Sequence, residues 1–197
     1  MAATSKWFGL AGKGQWSSTA ASRIDWVNDT IQVSLHTSAY VPNQDTHQYY
    51  TDLTNELATG NGYNAGGYTL VNKTLTYDAT SNETRLDADD AQWTAATFTF
   101  RISVVRKNTG TGSTSPLLGY TDMGADQSIS GGTYTLVCHC IRPRSGGRGE
   151  GNLGSVRACM LSQSASGTGV GHALMRGCVG WRRCGRKAKG FRRRGHR

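Results

Sequence analysis

The stretch TFTFRISVVR, residues 97–106, decides the fold. Phe98, Phe100, Ile102 and Val104 recur at every second position, with Thr, Arg and Ser between them. In an extended chain a period of two puts all four side chains on one face, whereas a helix would scatter them around its axis. The spacing predicts a long half-buried strand, and no helical pattern elsewhere competes with it.

Outward from this strand the chain reads the same way. Upstream, IQVSL at 31–35 alternates through Ile31, Val33 and Leu35, and Ile24 and Trp26 alternate before it. Residues 68–71, 74–77 and 83–86 are shorter β-forming runs, and 116–120 and 133–137 follow downstream. Between them lie turn formers: GNGYNAGG at 60–67, DATSN at 78–82 and the Gly/Thr stretch 107–115. Residues 45–53, DTHQYYTDL, predict a short helical turn capped by Asp45 or Thr46, with Tyr49, Tyr50 and Leu53 on one side. About seven short strands spaced by such turns predict an all-β fold, an antiparallel β-sandwich.

Composition divides the chain further. Residues 1–22 are rich in Ala, Gly and Ser, with Trp7, Phe8 and Trp16 as the bulky anchors, and read as an N-terminal arm that orders against a neighbour. Residues 23–137 form the β-sandwich domain. Residues 1–137 carry eight Lys/Arg against twelve Asp/Glu, a net of −4, and no cysteine, which suits a reducing cytosol. Residues 138–197 carry fourteen Lys/Arg against Glu150 alone, a net of +13, with all five cysteines and half the glycines. This segment reads as a basic, irregular tail. No stretch has the apolar run of a secretory signal or the length of a membrane span, so the asparagines of the three sequons (Asn28, Asn72, Asn82) read as turn chemistry.

No catalytic set assembles from the sequence, and the expectation is a non-enzymatic protein without cofactor or metal. Asp87-Ala-Asp-Asp offers oxygen ligands but lacks the order and closing Glu of a calcium loop, so turn formation is the simpler reading. His36 and His47 accompany neither a nucleophile elbow nor a His-Glu-x-x-His pair, and read as surface or turn histidines. Tyr40, Tyr49, Tyr50, Tyr63 and Tyr68 cluster in the first third; such rings stack on sugars or form interfaces, so they are the candidate glycan or interface residues.

Three readings of the tail stand side by side. Cys138, Cys140, Cys159, His172, Cys178 and Cys184 suffice for zinc, although only one close cysteine pair is present. Arg182, Arg183, Arg186, Lys187, Lys189, Arg192, Arg193 and Arg194, with Trp181 and Phe191, form a candidate nucleic-acid contact through phosphate neutralisation and stacking. The third reading is out-of-frame translation. CHCIRPR at 138–144 can be encoded so that the adjacent frame reads Val-Thr-Ala-Ser-Gly-Pro-Gly, a natural continuation of the strand before it.

From Ile24 to about Val137 the chain resembles a family of small tailed-bacteriophage proteins, minor structural proteins whose genes lie among head and tail genes. The segments that carry the resemblance are IQVSLHTSAYVPNQDTH (31–47), TNELATGNGYNAGG (54–67), NKTLTYDA (72–79), LDADDAQW (86–93) and SPLLGYTDMGADQS (115–128). The resemblance implies a virion protein made in the host cytoplasm, a capsid decoration or minor head protein. Its implied partners are the major capsid protein, other virion proteins and further copies of itself. A tail-associated module that binds host glycans through the tyrosines is the alternative, and nucleic-acid binding through the tail a second. Family members end soon after the last strand, so 138–197 departs from the pattern.

Overall fold

The computed structural model describes residues 3–80 and 83–138, and the backbone of 142–143, 156–157 and 163–166. The fold is all-β, antiparallel and sandwich-like. Its spine is a hairpin of two long strands, β6 (Ala91–Lys107) and β7 (Leu117–Leu136). β2 (Ile31–His36) pairs with the other edge of β6, β3 (Tyr68–Thr69) lies beyond β2, and β1 (Thr4–Trp7) pairs with β7, giving the order β1-β7-β6-β2-β3. β4 (Thr74–Asp78) and β5 (Glu83–Asp87) form a separate hairpin. Downstream, β8 (Arg142–Pro143) pairs with β9 (Val156–Arg157), and β10 (Gln163–Ser166) pairs with the end of β7. Among the described residues no helix is long and apolar enough to cross a membrane.

The strands expected at 116–120 and 133–137 are one strand of 20 residues, because the acidic, glycine-bearing stretch between them also pairs with β6. It does so through register breaks: β7 advances from Asp122 to Gln127 while β6 advances only from Ile102 to Phe100. Gly124 and Gly131 take positive φ in β7, where a side chain would strain the bend. The segment around Ile24 and Trp26 is not a strand. Trp26 is nevertheless buried, its indole N–H donating to the Asp87 carbonyl at 3.0 Å.

Two clusters make the core. The larger gathers Ile31, Val33, Leu35, Trp93, Phe100 and Tyr134 with their neighbours; the smaller gathers Phe8, Tyr40, Ile102, Val104, Leu117 and Tyr120. Val33 pairs with Val105 and Ser34 with Val104, so where β2 meets β6 the clusters lie on opposite faces of the sheet. The stripe expected from Phe98 to Val104 is therefore shared. Phe98 and Phe100 serve the larger core and Ile102 and Val104 the smaller, with a register break at the division.

The N-terminal arm folds onto its own sheet. β1 is followed by α1 (Gly9–Gln15) and a 3₁₀ turn, Ala20–Ser22. Phe8 is buried in the smaller core, its N–H bonded to the Leu118 carbonyl, and Gln44 holds the Trp7 carbonyl at 2.6 Å. The helical turn expected at 45–53 is a 3₁₀ turn at Tyr50–Asp52. Its cap is Asp52, whose carboxylate accepts the N–H groups of Gln48 and Tyr49 at 2.7 and 2.8 Å. Asp45 and Thr46 instead donate to Asn43 Oδ1, so neither caps the turn.

Candidate functional site

The loop 54–67 is fixed to the sheet by a buried polar network. The Glu56 carboxylate accepts the Tyr63 hydroxyl at 2.7 Å, the Tyr50 hydroxyl at 2.5 Å and the Gly66 N–H at 2.7 Å. Tyr63 in turn accepts the Leu35 N–H at 3.1 Å, while Leu35 O takes the Leu57 N–H. β3 has ended by this point of β2, and the phenol replaces the missing strand. Arg106 is buried, with its guanidinium 3.8 Å from the Tyr50 ring centroid and bonded to Gln32 Oε1 and Gly66 O. Burial lowers its pKa, and Tyr50, Glu56 and Tyr63 offset part of that. Burial, reinforced by Glu56, pushes the Tyr50 phenol up to about 12, so the hydroxyl stays protonated as a donor.

This placement corrects the reading of Tyr40 and Tyr63 as candidate glycan or interface residues, while Tyr49, Tyr50 and Tyr68 are half-buried. Tyr40 and Tyr63 are core side chains with no ring face available to a glycan. Tyr50 is engaged by Glu56 and Arg106, and Tyr68 packs edge-on against Trp93 at 5.6 Å. Tyr49 accepts the Gln48 side-chain amide at 3.1 Å.

His36 is also not a surface residue. It is fully buried on β2, with Nε2 2.9 Å from Ser34 Oγ and Nδ1 2.8 Å from the Thr54 carbonyl. A hydroxyl, an imidazole and an orienting acceptor in a row have the geometry of a base-activated nucleophile. Ser34 is equally buried, however, so no substrate reaches the hydroxyl and the arrangement is a structural bond. Tyr40 packs on His36 at 5.0 Å between ring centroids and stacks on His47 at 5.7 Å, its hydroxyl 2.9 Å from His47 Nδ1. The two histidines thus meet through one buried tyrosine.

The acidic run ends β5 and links it to β6, its carboxylates accepting hydrogen bonds from neighbouring and distant groups. Asp89 accepts the Asn72 side chain at 2.6 Å and Asp90 the Cys138 N–H at 3.0 Å; among the described residues no group of three His, Cys, Asp or Glu is placed to hold a metal. Cys138 packs against the larger core, and burial pushes its thiol up to about 11, the protonated form. The remaining cysteines, His172 and the basic positions Arg182, Arg183, Arg186, Lys187, Lys189, Arg192, Arg193 and Arg194 lie outside the described residues.

An accessible cleft of about 900 Å³ lies between the arm, the β4–β5 hairpin and the main sheet. Trp7, Ile24, Trp26, Leu75, Leu86 and Leu118 make its apolar lining. Arg23, Asp25, Asp29 and Lys107 line its charged side, with Lys107 Nζ 2.9 Å from both Asp29 and the Arg23 carbonyl. Asn28 holds the Asp25 carboxyl below its usual range by side-chain and backbone hydrogen bonds. Large apolar side chains face solvent on the segments that line the cleft: Trp16 at 93 % exposure, Tyr77 at 63 %, Leu75 at 52 % and Val27 at 44 %. Trp16 follows the lining residue Gln15, Val27 follows Trp26, and Tyr77 shares β4 with Leu75. The sequence marked Trp16 as a bulky anchor of the arm, but nothing local distinguishes it from Phe8, which is inside.

No family model matches the chain, and neither a curated protein nor a solved structure matches it.

Proposed function

We propose that the chain is a non-enzymatic bacteriophage virion protein, a capsid decoration or minor head protein that binds through its surface. The observation that carries this reading is the apolar face around the cleft. Large exposed apolar side chains beside an apolar recess suit protein–protein contact, because leaving them in water is costly. The family resemblance of 24–137 supports the virion as the setting. Among the described residues the nucleophile–base pair Ser34 with His36 is sealed in the core, which favours binding over chemistry. Repetition over many copies makes modest contacts effective on a particle. The test is to purify particles on a density gradient, quantify the protein by mass spectrometry and locate it by cryo-electron microscopy. Many copies on the outer capsid are expected, and absence from intact particles refutes the reading.

A further inference from the structure

We infer that the apolar face closes on a second copy of the chain, with Trp16 of each protomer seated in the cleft of the other. The inference deepens the reading of this face as a protein-binding surface by naming its partner. A two-fold contact is isologous: one patch must carry both a protrusion and the recess that receives it. This patch does. Trp16 stands almost wholly in solvent one residue beyond Gln15, which lines the recess. The recess offers two indoles, Ile24 and three leucines as apolar walls, and its volume accommodates an indole with room for neighbouring side chains.

The charges favour the same partner. Arg23 and Lys107 stand with Asp25 and Asp29, so the charged side presents both signs in equal number. A second copy can meet such a rim without like-charge repulsion, whereas nucleic acid or an anionic membrane calls for a single positive sign. Area bounds the strength. Each indole buries roughly 150–250 Å² and a stable interface about 1,200–2,000 Å² in total, so Val27, Leu75 and Tyr77 of both copies must join the contact. The expected product is a concentration-dependent dimer rather than a permanent one.

The test is sedimentation of the full 197-residue chain over a dilution series. A monomer–dimer equilibrium is expected, with Trp16→Ala weakening it at least about 30-fold, as for a central aromatic anchor. Leu75→Arg, placed in the recess wall, should do the same, while Trp16→Phe retains part of the affinity. Both side chains are exposed, so urea midpoints taken at dilutions where wild type is monomeric should match and separate lost association from lost folding. A chain that is monomeric throughout overturns the inference, as does a dimer indifferent to both substitutions. Trimers or open chains overturn the two-fold geometry. Protection of Trp16 only in assembled particles assigns the face to a capsid partner instead, leaving the virion reading intact; a Trp16-dependent dimer absent from particles does the reverse.

Discussion

Tyr63→Phe and Tyr134→Phe delete the same oxygen from two buried rings, yet their consequences should have opposite sign. The Tyr63 hydroxyl donates to the Glu56 carboxylate at 2.7 Å and accepts the Leu35 N–H at 3.1 Å. Removing it loses a hydrogen bond to a carboxylate, worth about 1.5–3 kcal/mol, and strands a buried backbone donor at a cost of about 1–3 kcal/mol. Glu56 keeps Tyr50 and Gly66 as donors, which cushions the loss, so about 3 kcal/mol of destabilisation is expected. Tyr134 is equally buried, but its hydroxyl has no partner among the described residues. Its desolvation is already unfavourable, and Phe at this position should be neutral or stabilising by about 1 kcal/mol.

Urea unfolding followed by tryptophan emission measures both. With a slope of about 2 kcal/mol/M, Tyr63→Phe should lower the midpoint by about 1.5 M and Tyr134→Phe should raise it by up to about 0.5 M. The slopes must match wild type for the comparison to hold. A Tyr63→Phe midpoint within about 0.25 M of wild type would refute the claim that the phenol completes the β2 ladder. Equal losses in the two variants would show that ring packing, not the hydroxyl partners, governs both sites.

Two further perturbations test the same framework. Gly67 has a φ of +86°, and a Cβ there would stand 2.2 Å from the Val33 carbonyl oxygen, so Gly67→Ala should cost more than about 3 kcal/mol or prevent folding. Gly110, with a φ of +85° and open space around it, should lose only about 1 kcal/mol on the same change, read as two urea midpoints. Burial lowers the pKa of His36 in the folded chain, with the Thr54 carbonyl and Glu56 partly opposing. The unfolded chain therefore binds a proton first as pH falls below about 6.5, and from there down to the lowered folded value stability should drop by up to about 1.4 kcal/mol per pH unit. Above that window both states are neutral and His36 contributes no slope; His36→Gln should remove its share of the slope below it, and an unchanged slope would refute the assignment.

The strands legible in the sequence are those whose pattern is local. Ile31, Val33 and Leu35 alternate in the sequence and are all buried, and the β4–β5 hairpin lies where its β-formers and turn predict. β7 was not legible as one strand, because Asp122, Gly124, Asp126 and Gly131 interrupt its run of β-formers. What keeps them extended is the long ladder with β6, a contact between residues far apart in sequence. Ser34 and His36 hid for a related reason. They occupy the polar half of an alternating strand, which normally faces water, and only tertiary packing against Tyr40 and the Ile102–Val104 core buries that face too.

The arm shows where sequence reasoning stops and packing decides. Trp7, Phe8 and Trp16 are its three bulky residues, set among Gly, Ala and Ser, and composition ranks them alike as anchors. Pairing of β1 with β7 carries Phe8 to the smaller core and leaves Trp7 half-buried at the cleft. α1 is only seven residues long and holds three glycines, so it has little intrinsic stability and depends on these two contacts for its position. Its end then delivers Trp16 into solvent, where no part of the described chain covers it. An arm read as reaching for a neighbour is thus anchored at home by Phe8. The residue left to reach outward is Trp16, next in the chain to Gln15 in the lining of a cleft that can receive its counterpart.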